Sequence, residues 1–126
     1  MVIVAVLAAI ALPSYQSHLI KSARVQTQTE MLELAGIQEK IYLNSNAYSA
    51  SVTSGYDGTA AGGLGRTTGA SKDNNYRFSL SLGAAAQSFV LTATPQSDTR
   101  QALDGALTIS ETGQKLWLKP SGTVGW

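Results

Sequence analysis

The 126-residue chain contains no cysteine. Disulfides and thiolate metal centres are therefore excluded, and the core must hold without covalent staples. There is one histidine, His18, so a zinc site or a Ser-His-Asp relay has almost nothing to be built from. Its place in the pattern is that of a plain helix-surface residue. Charged residues make up 13% of the chain, about half the usual share. The net charge is +1 with no long run of either sign, so the bulk composition calls for neither nucleic acid nor an anionic membrane. An apolar run of spanning length is missing too. The opening Met1–Leu12 has no charge or hydrogen-bonding side chain, but a hydrocarbon core needs about 20 residues. A secretory signal would carry a basic region ahead of such a run, and nothing precedes Val2 but Met1. The opening reads as the remainder of a longer front end.

Chemistry-bearing patterns are equally scarce. Gly62-Gly63-Leu64-Gly65 lacks the Lys-Ser/Thr and the strand-to-helix setting of a phosphate loop, and reads as a flexible loop. Glu30 and Glu33 share a helix face without a pocket, which suggests solvation or pairing across subunits. No enzyme activity, cofactor, metal or small-molecule substrate is expected.

What the chain does have is periodicity. From Met1 to Tyr15 it is an apolar helix former, interrupted at Pro13, whose missing N–H and bulky ring predict a kink or break between about Ala9 and Pro13. Beyond it Ile20, Ala23, Thr27, Met31, Leu34, Ile37 and Ile41 recur at intervals of three and four, one continuous helical stripe. A weaker stripe holds Val25, Leu32, Ala35, Gly36 and Leu43. Two apolar faces imply two partners, the chain's own body and something external. Gly36 costs about 1 kcal/mol relative to Ala inside a helix, which close approach of another backbone would explain. Asn44-Ser45-Asn46 is the expected stop.

Residues 44–75 then form a Gly-rich connection, long enough to suspect a role. The period changes to two in Tyr76–Leu82, Phe89–Thr94, Ala106–Ser110 and, more weakly, Gln114–Leu118, with turn signals between. The expected fold is α+β: a long N-terminal helix on a four-stranded antiparallel sheet spanning 76–118. Residues 1–19 form the apolar helix half, and residues 20–126 the globular head.

The run Leu7-Ala8-Ala9-Ile10-Ala11-Leu12-Pro13-Ser14-Tyr15-Gln16 resembles the N-terminal helix of type IV pilins, with their I-L-A-A-I-A-L-P-x-Y motif. Leu32-Glu33-Leu34-Ala35, Gln38-Glu39-Lys40-Ile41-Tyr42 and Asn46-Ala47-Tyr48 are similar to a segment of the Gram-negative minor pilins. Phe89–Pro95 and Gly105–Gly113 fit the strands of that subgroup. Three features depart from it. The G-F-T-L-I-E processing and methylation segment is absent. Asp104 and Gly125 stand where the family usually has the two cysteines that pin its C-terminal loop, which leaves open how Lys119–Trp126 is held; Trp126 packing onto the body is one hypothesis. The loop is also unusually rich in Gly.

The resemblance implies a structural subunit of a type IV pilus, serving adhesion, twitching motility, DNA uptake or phage attachment. The subunit would sit in the inner membrane until the assembly machinery extracts it into a surface filament of itself and other pilins. There Val2, Ile3, Val4, Val6, Leu7, Ile10 and Leu12 would be reburied between helices. Pro13 would be the helix break, with order lost over roughly Ala5–Ser14 in the filament. Lys21, Arg24, Glu30 and Glu33 are the expected intersubunit polar contacts. Two alternatives remain. A type II secretion pseudopilin shares the design, although Asp98 and Asp104 are a weak basis for its calcium site. A DNA-binding or adhesin module would need Arg66, Lys72, Arg77, Arg100, Lys115 and Lys119, scattered in sequence, to be gathered by the fold.

Overall fold

The computed structural model describes residues 2–126, with side chains from Ser14 onward. Its first element, α1, is a 44-residue helix, Val2–Ser45. The contacts expected at Val2, Ile3, Val4, Val6, Leu7, Ile10 and Leu12 fall on side chains outside the described residues, whereas the backbone of α1 runs through residues 9–13 as one helical element, without the break expected at Pro13. The helix ends where the Asn-rich signal places it. Asn46 takes a left-handed φ of 56°, and its N–H donates to Tyr42 O at 2.7 Å. This satisfies a carbonyl that the last turn would otherwise leave open.

Five strands follow: β1 (Tyr76–Leu82), β2 (Phe89–Pro95), β3 (Ala106–Ser110), β4 (Lys115–Lys119) and β5 (Gly122–Gly125). They form one antiparallel meander in chain order. The α+β reading holds, but the sheet has one strand more than expected. β5 was illegible because four residues bounded by two glycines give no alternation to read. Pairing with β4, Trp117 opposite Val124, supplies what its own composition does not.

Period-two alternation sets which side chains enter the core. Tyr76, Phe78, Phe89, Leu91, Ala93, Leu107 and Ile109 point inward and are buried. From α1 they meet Met31, Leu34 and Ile41, members of the stripe read from the sequence. Each fully buried large apolar side chain contributes about 2 kcal/mol. The other sheet face carries Ser79, Thr92, Thr94 and Thr108.

The connection between α1 and β1 is pinned, and the flexible loop expected at Gly62–Gly65 is not what forms. Gly63 N–H donates to Gly55 O, Leu64 to Ser51 O, Gly65 to Ser54 O and Arg66 to Val52 O, all at 3.0–3.1 Å. A Cβ at Gly63 would lie 2.5 Å from Ser54 O, so the glycine serves close backbone approach. The helix clamps the start of the loop: Gln38, fully buried, exchanges two 2.9 Å hydrogen bonds with the backbone of Ser49.

The C-terminal segment is held by the sheet. Trp126 N–H donates to Lys115 O at 3.3 Å, and its indole N–H to Leu116 O at 3.0 Å. Trp126 also packs partly buried against the core, in line with the hypothesis that it folds onto the body. Gly125 belongs to β5, so strand pairing fixes the position where the resemblance would place a cysteine.

Candidate functional site

The helix carries two apolar faces and the body covers one. The outer stripe is open: Val25, Leu32 and Leu43 are 50, 47 and 84% exposed. A Cβ placed on Gly36 would meet nothing within 4 Å, so within this chain no close backbone contact accounts for that glycine. Tyr15, one turn below the body, is 60% exposed. Among the described residues nothing covers this ridge.

The four charged residues expected to contact other subunits separate into two pairs. Lys21 and Glu33 remain exposed on α1. Arg24 and Glu30 are used within the chain. Glu30 is only 2% exposed, where solvation had been one expectation, and its carboxylate accepts from Arg66 Nη2 at 2.8 Å and from Lys72 N–H at 3.1 Å. A carboxylate buried on a helix needs such partners, because an unpaired buried charge costs several kcal/mol. Arg66 also donates to Ala70 O at 2.7 Å. The three residues together fasten the loop to the helix.

Arg24 forms the second clasp. Its Nε donates to Asp104 Oδ2 at 2.9 Å, and its guanidinium lies 3.8 Å from the Trp117 ring centroid. Trp117 returns a hydrogen bond from its indole N–H to Asp104 O at 2.7 Å. Tyr76 donates its hydroxyl to the same carboxylate oxygen at 3.2 Å. Buried Gln101 donates from its amide to Tyr76 Oη at 2.8 Å and to Ile20 O at 3.1 Å. Burial raises the Tyr76 phenol well above the ordinary tyrosine range, and the Asp104 charge adds to it. Asp104, at the other expected cysteine position, is thus the hub tying β1 and β4 to α1.

These two ion pairs are the only ones among the described residues. Lys72, Arg77, Arg100, Lys115 and Lys119 keep their charge free of a carboxylate partner. The fold does not gather them into one patch. Arg100 borders a groove of about 280 Å³ with Leu19, Ser22 and Gln26 of α1 and Asp73. Arg77 lies outward on β1, beside Thr94 and Gln96. Lys115 and Lys119 flank Trp117 along β4, the latter with its ammonium 5.2 Å from the ring centroid.

At the far end of α1, Tyr42 stacks on Tyr48 with centroids 4.7 Å apart, and Tyr48 meets Phe89 edge-on at 4.8 Å. Tyr48 ionises at about 12, pushed up by burial and by the neighbouring Glu39 carboxylate. His18 is exposed on α1. Among the described residues no three His, Asp or Glu side chains gather as a metal site would require, and no helix is long and apolar enough to cross a membrane.

The family model for the type IV minor pilin ComP, DNA uptake sequence receptor, matches residues 13–108. A solved type IV pilin from Shewanella oneidensis superposes with a TM-score of 0.46 at 18% identity, covering 79% of this chain and 88% of that one. No curated protein matches the sequence.

Proposed function

Because the chain belongs to the type IV minor pilin ComP family, described as DNA uptake sequence receptors, we propose that it is a pilus subunit with a DNA-contacting body. The observation that carries the first half is α1 itself. One helix of 44 residues is covered by its own body on one face only, and its outer apolar ridge is open. Such a surface is satisfied by a neighbouring helix. The apolar half, Val2, Ile3, Val4, Val6, Leu7, Ile10 and Leu12, would be held in the inner membrane and then reburied between subunits. The assembly machinery makes that transfer. About 2 kcal/mol per large apolar side chain, repeated along the run, suffices for a polymer without covalent links. Lys21 and Glu33 are the intersubunit polar contacts in this reading. Pro13 is its helix break, with order lost over Ala5–Ser14 in the filament.

The DNA half rests on the family description and on the free cations Lys72, Arg77 and Arg100. A duplex bound through phosphates releases counterions, so affinity falls with salt in proportion to the contacts made. Filaments sheared from producing cells and identified by mass spectrometry test the first half; a chain found with no filament overturns it, and one found only with a secretion apparatus makes it a pseudopilin. For the second, Lys72→Ala and Arg100→Ala should each reduce the slope of log affinity against log salt by about 1. Slopes unchanged in both variants overturn the assignment of these residues.

A further inference from the structure

Lys21, Arg100 and Lys119 lie near the start of the body's packing on α1, and we infer that this rim docks on anionic phospholipid headgroups before the subunit is assembled. The inference rests on the reading of Val2–Leu12 as membrane-held. Three positions define the rim. Lys21 is exposed on α1. To one side Arg100 borders the groove against Leu19 and Ser22. To the other, Lys119 stands over Trp117, which is stacked on Arg24. None of the three has a carboxylate within ion-pair distance. Of the nearby acids, Asp98 is exposed two residues before Arg100 and makes no ion pair, while two others are committed elsewhere. Asp104 belongs to Arg24 and Tyr76. Asp73, in Arg100's groove, accepts from Ser71 Oγ at 2.7 Å and Asn75 N–H at 3.1 Å.

Distance along the helix places this rim at the right depth. The body first meets α1 at Leu19 and Ile20, where Gln101 donates to Ile20 O. Seven residues separate Leu12 from Leu19, about 10 Å of helix at 1.5 Å per residue. The headgroup layer on each side of a bilayer is about 6 Å thick, and the Debye length at physiological salt is about 8 Å. A helix leaving the hydrocarbon at Leu12 therefore carries Lys21, and the groove that Arg100 borders at Leu19 and Ser22, into the range where anionic headgroups attract them, and Lys119 adjoins them through the Trp117 ring stacked on Arg24. The exposed Tyr15 lies between, at the level where amphipathic aromatics sit. Trp117, partly open beside Lys119, has an apolar ring and two flanking cations, the composition of an interfacial anchor. The strand that carries Lys119 and Trp117 lies beyond the stretch matched by the family model, which ends at residue 108.

The experiment uses the whole chain carrying Trp126→Phe, so that Trp117 is the only indole. It is reconstituted into vesicles of neutral phosphatidylcholine, or of phosphatidylcholine with one part in three phosphatidylglycerol, each holding a headgroup-labelled nitroxide lipid. Quenching of Trp117 should appear in the anionic vesicles and fade at about 0.5 M salt, where the Debye length is about 4 Å. Each cation removed by Lys21→Gln, Arg100→Gln or Lys119→Gln should lower the docked fraction's equilibrium about fivefold. Lys119→Arg should retain it. Failure to float with either vesicle overturns the membrane-held reading, and this inference with it. Flotation with quenching equal in neutral and anionic vesicles, or indifferent to salt, overturns the inference alone. The same holds if the Gln variants lose duplex DNA binding but keep their lipid response, which assigns those cations to nucleic acid.

Discussion

Two backbone positions show how single residues set this fold. Gly105 has a φ of +94°, and a Cβ there would overlap the Leu118 carbonyl oxygen. Gly105→Ala therefore combines left-handed strain with a backbone collision where β3 meets β4, and should cost at least about 2 kcal/mol in denaturant unfolding. Ala85 is the converse, an alanine at φ 56° in the turn between β1 and β2. Ala85→Gly relieves that strain and should stabilise by about 0.5–1 kcal/mol. The tyrosines give a third residue-scale expectation. Tyr48 titrates at about 12 in the folded chain and about 10 when unfolded, its ordinary value. Between those pH values the unfolded chain has lost a proton that the folded chain retains, so stability falls as pH rises. The contribution is complete below pH 10 and gone above about pH 12. Tyr48→Phe should flatten that loss in melts taken across the window, and an unchanged slope assigns it to another group.

At the scale of elements, what matters is how α1 is fastened to the sheet. Its inner stripe supplies the apolar contact, and two ion pairs fix its place at either side. One joins it to the loop through Glu30 and Arg66, the other to the segment before β3 and to β4 through Arg24, Asp104 and Trp117. Both pairs are largely out of water, so removing one partner strands the other. Arg24→Ala and Asp104→Ala should each destabilise by about 2–3 kcal/mol, while the double variant costs clearly less than their sum. Simple additivity in that cycle would mean that the pair is not coupled. The periodicity of α1 and of β1 to β3 was legible because each repeats inside a short window. Glu30 was not: its partner Arg66 is 36 positions away, and a carboxylate beside another one, Glu33, reads as surface. The signal that could have found it was its place three residues after Thr27 and four before Leu34, within the buried face.

For the molecule as a whole, the embedding of α1 in the body from Ile20 onward is the central feature. The packing of the body on α1 runs from Ile20 and Ala23 to Ile41, so the body should fold independently of the apolar head. Val4→Glu is expected to leave the thermal unfolding of the body within about 0.5 kcal/mol of the parent and to abolish incorporation into filaments. Loss of folding in that variant would show that the head supports the body. The candidate surface for polymerisation was legible as a second apolar stripe. The candidate cations were legible only as a composition, because nothing in the chain order says whether Arg66 is free or Lys72 exposed.

The sequence by itself determined the elements: a long helix ending at the Asn cluster, three clear strands, the apolar head, and a family resemblance dense enough to assign the chain. These are properties of neighbours in the chain, set by helical and extended periods and by residues that stop them. The tertiary structure alone decided that Arg24 and Glu30 are internal clasps, that the Gly-rich loop is fixed, and that a fifth strand holds Trp126. Each depends on groups brought together from distant positions, or on hydrogen bonds that a strand of weak propensity gains only from its neighbour. Burial then decides the rest, since a charge or a backbone amide removed from water must find its partner wherever the fold places one.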